Sequence, residues 1–570
     1  MKFQYNKILF PLAQANLSRT GRDYFPPMIL DYLNGEEKLK PFYKYPVSNK
    51  QNLTYSERSR TINAFKSAIF ERQNQKINRK LLVEILKEQY SSIVSRPQSL
   101  IPHIELLLLQ NTFTITTGHQ LCLFTGPLYF IYKIITTINL AEKLKNAFPE
   151  YNFIPVYWMV SEDHDFNEIN HIHLFNKTIE WKPDKKEREG AVGRISADSI
   201  KNVLEELKSI LGQGQYSKEL YEFFKKTYSE HKTLAQATRY LVNELFGKYG
   251  LVIIDGDDKR LKSEFKDVIE DDIINNMAFQ LINSTNKKLS RHYKVQVNPR
   301  GINCFYLGKN SRERIEKNLK SKGSVTVPHQ EDLKSYSVLN TDISFSEAEL
   351  LTEIHDHPEK FSPNVVLRPL YQEKILPNLA YVGGSAELAY WLQLKSAFDH
   401  YDVNFPVLIL RNSVLLIDNK INKRLNKLGI QPKQLFNNTN LIVKNFLRKT
   451  SQVEINIDAE KKIITKAFKS MILKAEKTDV SLKAAVSAEL QKQLKSLSNI
   501  ERKLLKAEKR KRETDVDQIN KIKEKLFPKN TLQERYDNFI PYYLKYGKEF
   551  FSILKRELNP LEYEFIILTI

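Results

Sequence analysis

The sequence predicts an α/β protein with a parallel-sheet core, interrupted by insertions and followed by a long C-terminal helical hairpin or coiled coil. Three observations lead there. Residues 111–173 read as strand, polar turn, helix, strand and polar cluster, which is one βαβ unit. Further apolar runs downstream end in polar residues in the same way. Finally, residues 459–526 contain no Gly or Pro and repeat apolar residues at spacings of three and four.

In the βαβ unit, Thr112-Phe113-Thr114-Ile115-Thr116-Thr117 is an alternating, β-branched strand that breaks at Gly118-His119-Gln120. Pro127 suits a first helical turn, and residues 128–144 carry apolar residues at helical spacing. Ile154-Pro155-Val156-Tyr157-Trp158-Met159-Val160 is the second strand, ending in Ser161-Glu162-Asp163-His164-Asp165. The handed crossover puts both polar turns at the carboxyl edge of the sheet, where open α/β sheets bind ligands.

Residues 1–170 divide into N-terminal helices, including two amphipathic segments within 60–94, and the first half of the core. Residues 171–250 form a first inserted segment, with a hairpin at 172–175 and 179–181 followed by helices that end at Gly250. Leu251-Val252-Ile253-Ile254, ending in Asp255-Gly256-Asp257-Asp258, is a third core strand within 251–258. Residues 259–360 read as a second inserted lobe, helical over 261–286 and strand-like at 293–297 and 303–307. The core resumes over 361–418, with strands at 362–369, 379–382 and 405–411 and a helix from Gly383-Gly384-Ser385-Ala386-Glu387 to His400. The arm spans 419–528. Its basic run Lys506, Lys509, Arg510, Lys511 and Arg512 marks the expected hairpin tip, a solvated tip being favoured over a phosphate-binding patch. The aromatic tail, 529–570, is expected to dock back on the core.

With 570 residues the chain has ample core and no need of disulfides, and its two cysteines, Cys122 and Cys304, cannot form a disulfide framework; a reducing cytoplasm is expected. The apolar run near the N-terminus is far below the roughly twenty residues that span a bilayer, so neither export nor membrane insertion is expected. The net charge of +21 raises nucleic acid as a partner. Because its lysines are spread along the chain, a solvated basic surface is favoured instead.

Four polar clusters sit at predicted carboxyl edges: Gly118-His119-Gln120, Glu162 to Asp165, Asp255 to Asp258 and Gly383 to Glu387. The first, with Thr125-Gly126-Pro127, precedes a helix N-terminus that attracts anions. It reads as a phosphate site or as a turn with no ligand. Glu162, Asp163, His164 and Asp165 crowd three carboxylates and an imidazole, which suits a general base or, less well, a metal; helix capping is the plainer alternative. No paired-Cys or two-His metal motif is present, so no metal ligands are assigned. Gly383 and Gly384 let backbone approach a ligand. Tyr390-Trp391 reads first as core and second as a stacking platform. Cys122 reads as a small buried residue.

Taken together, Thr117-Gly118-His119-Gln120, Leu123 to Tyr129, Tyr132-Lys133, Pro155 to Trp158, Glu162 to Phe166 and Asn170-His171 resemble one family, the bacillithiol biosynthesis cysteine-adding enzymes. Ser362-Pro363-Asn364, Arg368-Pro369-Leu370, Gln372, Leu376-Pro377, Ala380 to Gly384 and Glu387 to Trp391 fit the same pattern, so the resemblance covers essentially the whole chain. It implies a Rossmann-like core, a coiled-coil arm that makes a homodimer, and a ligase joining the carboxyl of cysteine in an amide to the amino group of glucosaminyl-malate. The family is similar in its core to class I aminoacyl-tRNA synthetases, so ATP, with magnesium as a companion ion, is expected by analogy. In that reading His119 and the amides at 126–128 hold phosphate, assisted by Gly118, Gln120, Thr125, Gly126, Gly383 and Gly384. Arg368 or Arg411 neutralises charge, and Asp163 or His164 takes a proton. Glu162, Asp165, Gln372, Glu387, Tyr390 and Trp391 would line the substrate. The alternatives are a non-catalytic nucleotide or nucleic-acid binding protein and a scaffold subunit of another thiol-synthesis enzyme.

Overall fold

The computed structural model describes residues 4–9, 24–47, 55–91, 93, 100–184, 188–318 and 335–570. Expectations for 10–23, 48–54 and 94–99 lie outside the described residues. The chain forms two compact units: Phe25–Ser413 with Glu534–Glu564, and Met1–Tyr24 with Val414–Gln533 and Phe565–Ile570.

The larger unit is built on five parallel strands: β1 Thr112–His119, β2 Asn152–Met159, β3 Val252–Asp255, β4 Asn378–Gly383 and β5 Val407–Leu410. Their order is β5-β4-β1-β2-β3. After β3 the chain returns to the other side of β1, so β1 and β4 are neighbours at the point where strand order reverses. In open α/β sheets ligands bind in that crevice. β1, although its threonines alternate with apolar residues, and β2 are buried on both faces along nearly their whole length, as helix-covered parallel strands are. Helix α1, Tyr129–Ala147, closes the β1-to-β2 crossover and is buried almost all round. One face packs on the sheet and another meets residues 534–564, where Asn139 Nδ2 donates to the carbonyls of Lys555 and Leu558 at 2.8 and 2.6 Å.

Several local expectations change. Residues 293–297 are not a strand, because Gln393 Oε1 accepts the amides of Gln296 and Val297 at 2.8 and 3.1 Å and takes the place of a neighbouring strand. Residues 362–369 do not join the parallel sheet. Instead Phe361–Pro363 pairs antiparallel with Cys304–Leu307 in a separate five-stranded sheet, and Pro369 helps start helix Arg368–Ile375. The helix expected to reach His400 stops at Trp391 and resumes at Lys395–His400.

In the smaller unit, Gln4–Leu9 is a strand rather than helix, forming a three-stranded sheet with Ser413–Ile417 and a central Glu564–Thr569. The arm contains helices α2 Asp458–Thr478, α3 Leu482–Lys511 and α4 Glu513–Leu526. The hairpin turns at 479–481, where Asp479 accepts the amide of Ser481 at 2.8 Å, and not at the basic run. Lys509, Arg510 and Lys511 occupy the last turn of α3, where cations favour the helix dipole, and Glu513 and Asp515 open α4, where anions do. Glu501, 6% exposed, ties the arm together by accepting from Lys444, Arg448 and Lys461.

Candidate functional site

A cavity of about 880 Å³ opens at the carboxyl edge of the parallel sheet. Register explains why the polar clusters meet there: His119 lies opposite Met159, which lies opposite Asp255, and Gly383 lies opposite Leu410. The structure brings Gly118, His119, Gln120, Glu162, Asp163, Arg368, Gly384, Glu387, Tyr390 and Arg411 to the lining.

Other expected site residues lie elsewhere. Thr125 and Gly126 belong to a turn in which Phe124, Thr125 and Gly126 all have positive φ, a conformation that costs roughly 1–3 kcal/mol at each non-glycine residue. The turn is held by Asn538 Nδ2, which donates to the carbonyls of Phe124 and Gly126 at 3.0 and 2.6 Å. The amides expected to hold phosphate are already used. Thr125 donates to Cys122, Gly126 to Leu123 and Leu128 to Asp537, while residue 127 is proline. Gly383 is close-packed; a Cβ there would lie 3.0 to 3.2 Å from Tyr381, Leu388 and Glu387. Asp165 is exposed and outside the lining. Gln372 is buried behind Arg368 and accepts from its Nη1 at 3.0 Å. Trp391 is core, stacked on Tyr381 with centroids 4.3 Å apart.

Four cations that line the cavity on the β4/β5 side of β1 come from four separate stretches of chain. Lys133 of α1, 1% exposed, donates to Glu387 and to the carbonyl of Gly118, both at 2.6 Å. Arg411, just after β5, donates to Glu534 at 2.7 Å and lies over the Tyr129 ring; its Nε is buried with no hydrogen-bond partner among the described residues. Arg368 and Arg535 complete the group. Glu387 is engaged twice, since it also accepts the amide of Gly384 at 2.6 Å. In the sequence Lys133 stands out only through the Tyr132-Lys133 pair of the family resemblance, which assigns it no role. Arg535 left no signal, because it arrives from a segment far beyond the last core strand, which ends at Leu410.

His119 sits between the rings of Tyr129 and Phe130, with its Nε2 3.9 Å from Cys122 Sγ. Burial, followed by the charges of Lys133 and Arg411, pushes its pKa well below the ordinary imidazole value, so it is neutral near pH 7. Burial also lifts the Cys122 thiol to about 12, which leaves it a poor nucleophile.

On the β2/β3 side, Gln120 donates to Asp163 at 2.6 Å and to Glu168 at 2.9 Å. Burial raises the Asp163 pKa, but hydrogen bonds from His164 and Gln120 and the charge of Arg312 outweigh it and hold the carboxyl well below its usual range. Asp163 is therefore a weak proton acceptor. His164 is outside the lining. Arg312 lies 2.9 Å from its Nδ1, and since a guanidinium only donates, that nitrogen accepts and the ring proton is assigned to Nε2. Neither residue expected to act as the base is well placed for it. Glu162 differs: Lys262 donates to it, and burial, offset by Lys262, raises its pKa to about 7. Behind it Arg194 grips Asp257 with two bonds of 2.7 Å.

Comparison with known proteins gives a consistent answer. The family model described as "Bacillithiol biosynthesis BshC, N-terminal Rossmann-like domain" matches residues 13–412, and its C-terminal coiled-coil domain matches 414–570. A relative from Christiangramia forsetii is 43% identical over 97% of this chain and 98% of its own length. One from Flavobacterium johnsoniae is 43% identical over 96% and 98%, and one from Salinibacter ruber is 29% identical over 94% of each. All three carry the name "Putative cysteine ligase BshC". With both family domains matched in order over nearly the whole chain, this protein belongs to the BshC family of bacillithiol biosynthesis.

Proposed function

We propose that the cavity joins the carboxyl of cysteine in an amide to the amino group of glucosaminyl-malate, with ATP as the co-substrate that activates the carboxyl. The cationic group carries the reading. Lys133, Arg368, Arg411 and Arg535 are faced by Glu387 and Glu534, and an excess of positive charge lining a cavity, with Lys133 and Arg411 buried, suits an anionic ligand. Arg411 also keeps one donor unused, its buried Nε, which has no hydrogen-bond partner among the described residues. When bound, ATP supplies the group that turns the cysteine carboxylate into an acyl donor. Arg368 and Arg411 hold anionic oxygens, and Lys133 fixes Glu387 and the end of β1. His119, neutral, serves as a hydrogen-bond donor without adding charge.

A protein-held magnesium ion fits poorly. No group of three or more His, Cys, Asp or Glu among the described residues is placed to hold a metal, and Glu162, Asp163 and Asp257 each already have donors. A homodimer is supported by the apolar side chains exposed on α2 and α3, Ile463, Met471, Leu473 and Ile500. Analytical ultracentrifugation tests it. Two free, buried cysteines suit a reducing cytoplasm, and no helix among the described residues is long and apolar enough to cross a membrane.

The deciding experiment is mass spectrometry after incubating the purified chain with cysteine, glucosaminyl-malate and magnesium, with and without ATP. ATP-dependent bacillithiol is the expected result. Absence of product from folded protein in both conditions overturns the reading in favour of a scaffold subunit.

A further inference from the structure

We propose that Glu162 is the catalytic base of amide formation, taking the proton that the attacking amine sheds. This deepens the ligase reading and rests on it.

Four carboxylates line the cavity: Glu162, Asp163, Glu168 and Glu387. Glu387 uses both oxygens, one on Lys133 and one on the Gly384 amide. Both oxygens of Asp163 are also engaged, by Gln120 and by the His164 amide. Glu168 is exposed and accepts from Gln120. Glu162 combines what the others lack. One oxygen is anchored by Lys262, itself 1% exposed, and the other has no hydrogen-bond partner among the described residues and is left for a ligand in the cavity. Its place directly after β2 puts it across β1 from the cationic group, so a substrate whose anionic part sits on Arg368 and Arg411 can direct an amine toward it.

The chemistry balances. The amine lone pair forms the C–N bond, the bond from the carbonyl carbon to its activating group breaks with its electron pair on the leaving group, and the proton lost by nitrogen passes to Glu162. That proton later leaves to solvent. Lys262, on helix Lys259–Ser263, is a positioning residue that aims Glu162 and moderates its basicity. Asp257 raises and Arg312 lowers the proton affinity of the carboxyl as well, and Glu162 in turn raises the pKa of its neighbours Arg194, Tyr371 and Cys304, the last two held neutral by burial. A pKa near 7 is well matched to a base working near neutrality.

The test measures steady-state product formation by the full chain across pH 5.5–9, alongside thermal melting of each variant. A base active only when ionised makes wild-type turnover rise with pH through about 7. Glu162→Gln is expected to lower kcat at least about 100-fold with substrate KM within about threefold, and to abolish that limb. Formate should restore part of the turnover in Glu162→Ala. Lys262→Met removes the ammonium that lowers the Glu162 pKa, so the limb should move to higher pH. Glu162→Gln turnover within about threefold of wild type, or an unchanged limb in that variant, overturns the assignment. Should Glu162→Gln fail to fold, an unmoved limb in Lys262→Met overturns it instead. A wild-type chain that forms no amide under any condition defeats the ligase reading itself, whereas active wild type with active Glu162→Gln defeats only the base.

Discussion

On one side of β1, Lys133, Arg368, Arg411 and Arg535 face the cavity with Glu387 and Glu534 as their carboxylates; on the other, Asp257 has Arg194 and Glu162 has Lys262. The first group carries more cations than carboxylates, while in the second each of these carboxylates has its own cation. The depressed pKa of His119, caused in part by Lys133 and Arg411, reports the same excess of positive charge from the middle of the site. Ligand charge and proton transfer are thereby assigned to different strand ends.

The strongest challenge to this contrast is Arg411→Met. It breaks the buried ion pair with Glu534, which is 1% exposed, so denaturant unfolding should show a loss of about 3–5 kcal/mol together with lost anion binding. Arg368→Ala is the cleaner binding test. It should raise the KM of an anionic substrate about 10–100-fold with a smaller change in kcat, as expected for one charge-assisted contact of about 1.5–3 kcal/mol. Asp163→Asn sharpens the other side. Because the Asp163 carboxyl is already ionised far below neutrality, its loss should leave the limb near pH 7 in place, read from the pH dependence of kcat. The smallest expected effect is at His119. Its ring should remain neutral by NMR at pH 6, and because the unfolded chain takes up that proton near pH 6.5, this residue should erode stability as pH falls below that value.

The parallel core was legible because buried strands and the polar residues that end them are local signals. The βαβ rule then brought the ends of β1, β2, β3 and β4 to one edge. What local pattern could not reveal was pairing. Residues 293–297 look like a strand until Gln393, far along the chain, takes their amides. Apolar spacing in the arm fits helices on both sides of 479–481 and of 512, and only tertiary packing selects the first as the turn. Proton affinity was equally hidden: Glu162 and Asp163 are neighbours of the same chemical type, and their environments drive them in opposite directions. The phosphate role expected for the turn at 125–128 failed because its amides are used internally, a fact no motif carries.

The return of Glu534–Glu564 to the larger unit bears on how this gene can be cut and recombined. In sequence, a seam falls at residue 413, between the two matched family domains. Severing there would remove Glu534 from Arg411, Asn538 from the left-handed turn after β1, and Arg535 from the cavity wall. The helical arm is thus an excursion within a discontinuous catalytic body. A chimera that exchanges arms between relatives should leave Glu534–Glu564 with the core it completes and move Phe565–Ile570 with the arm.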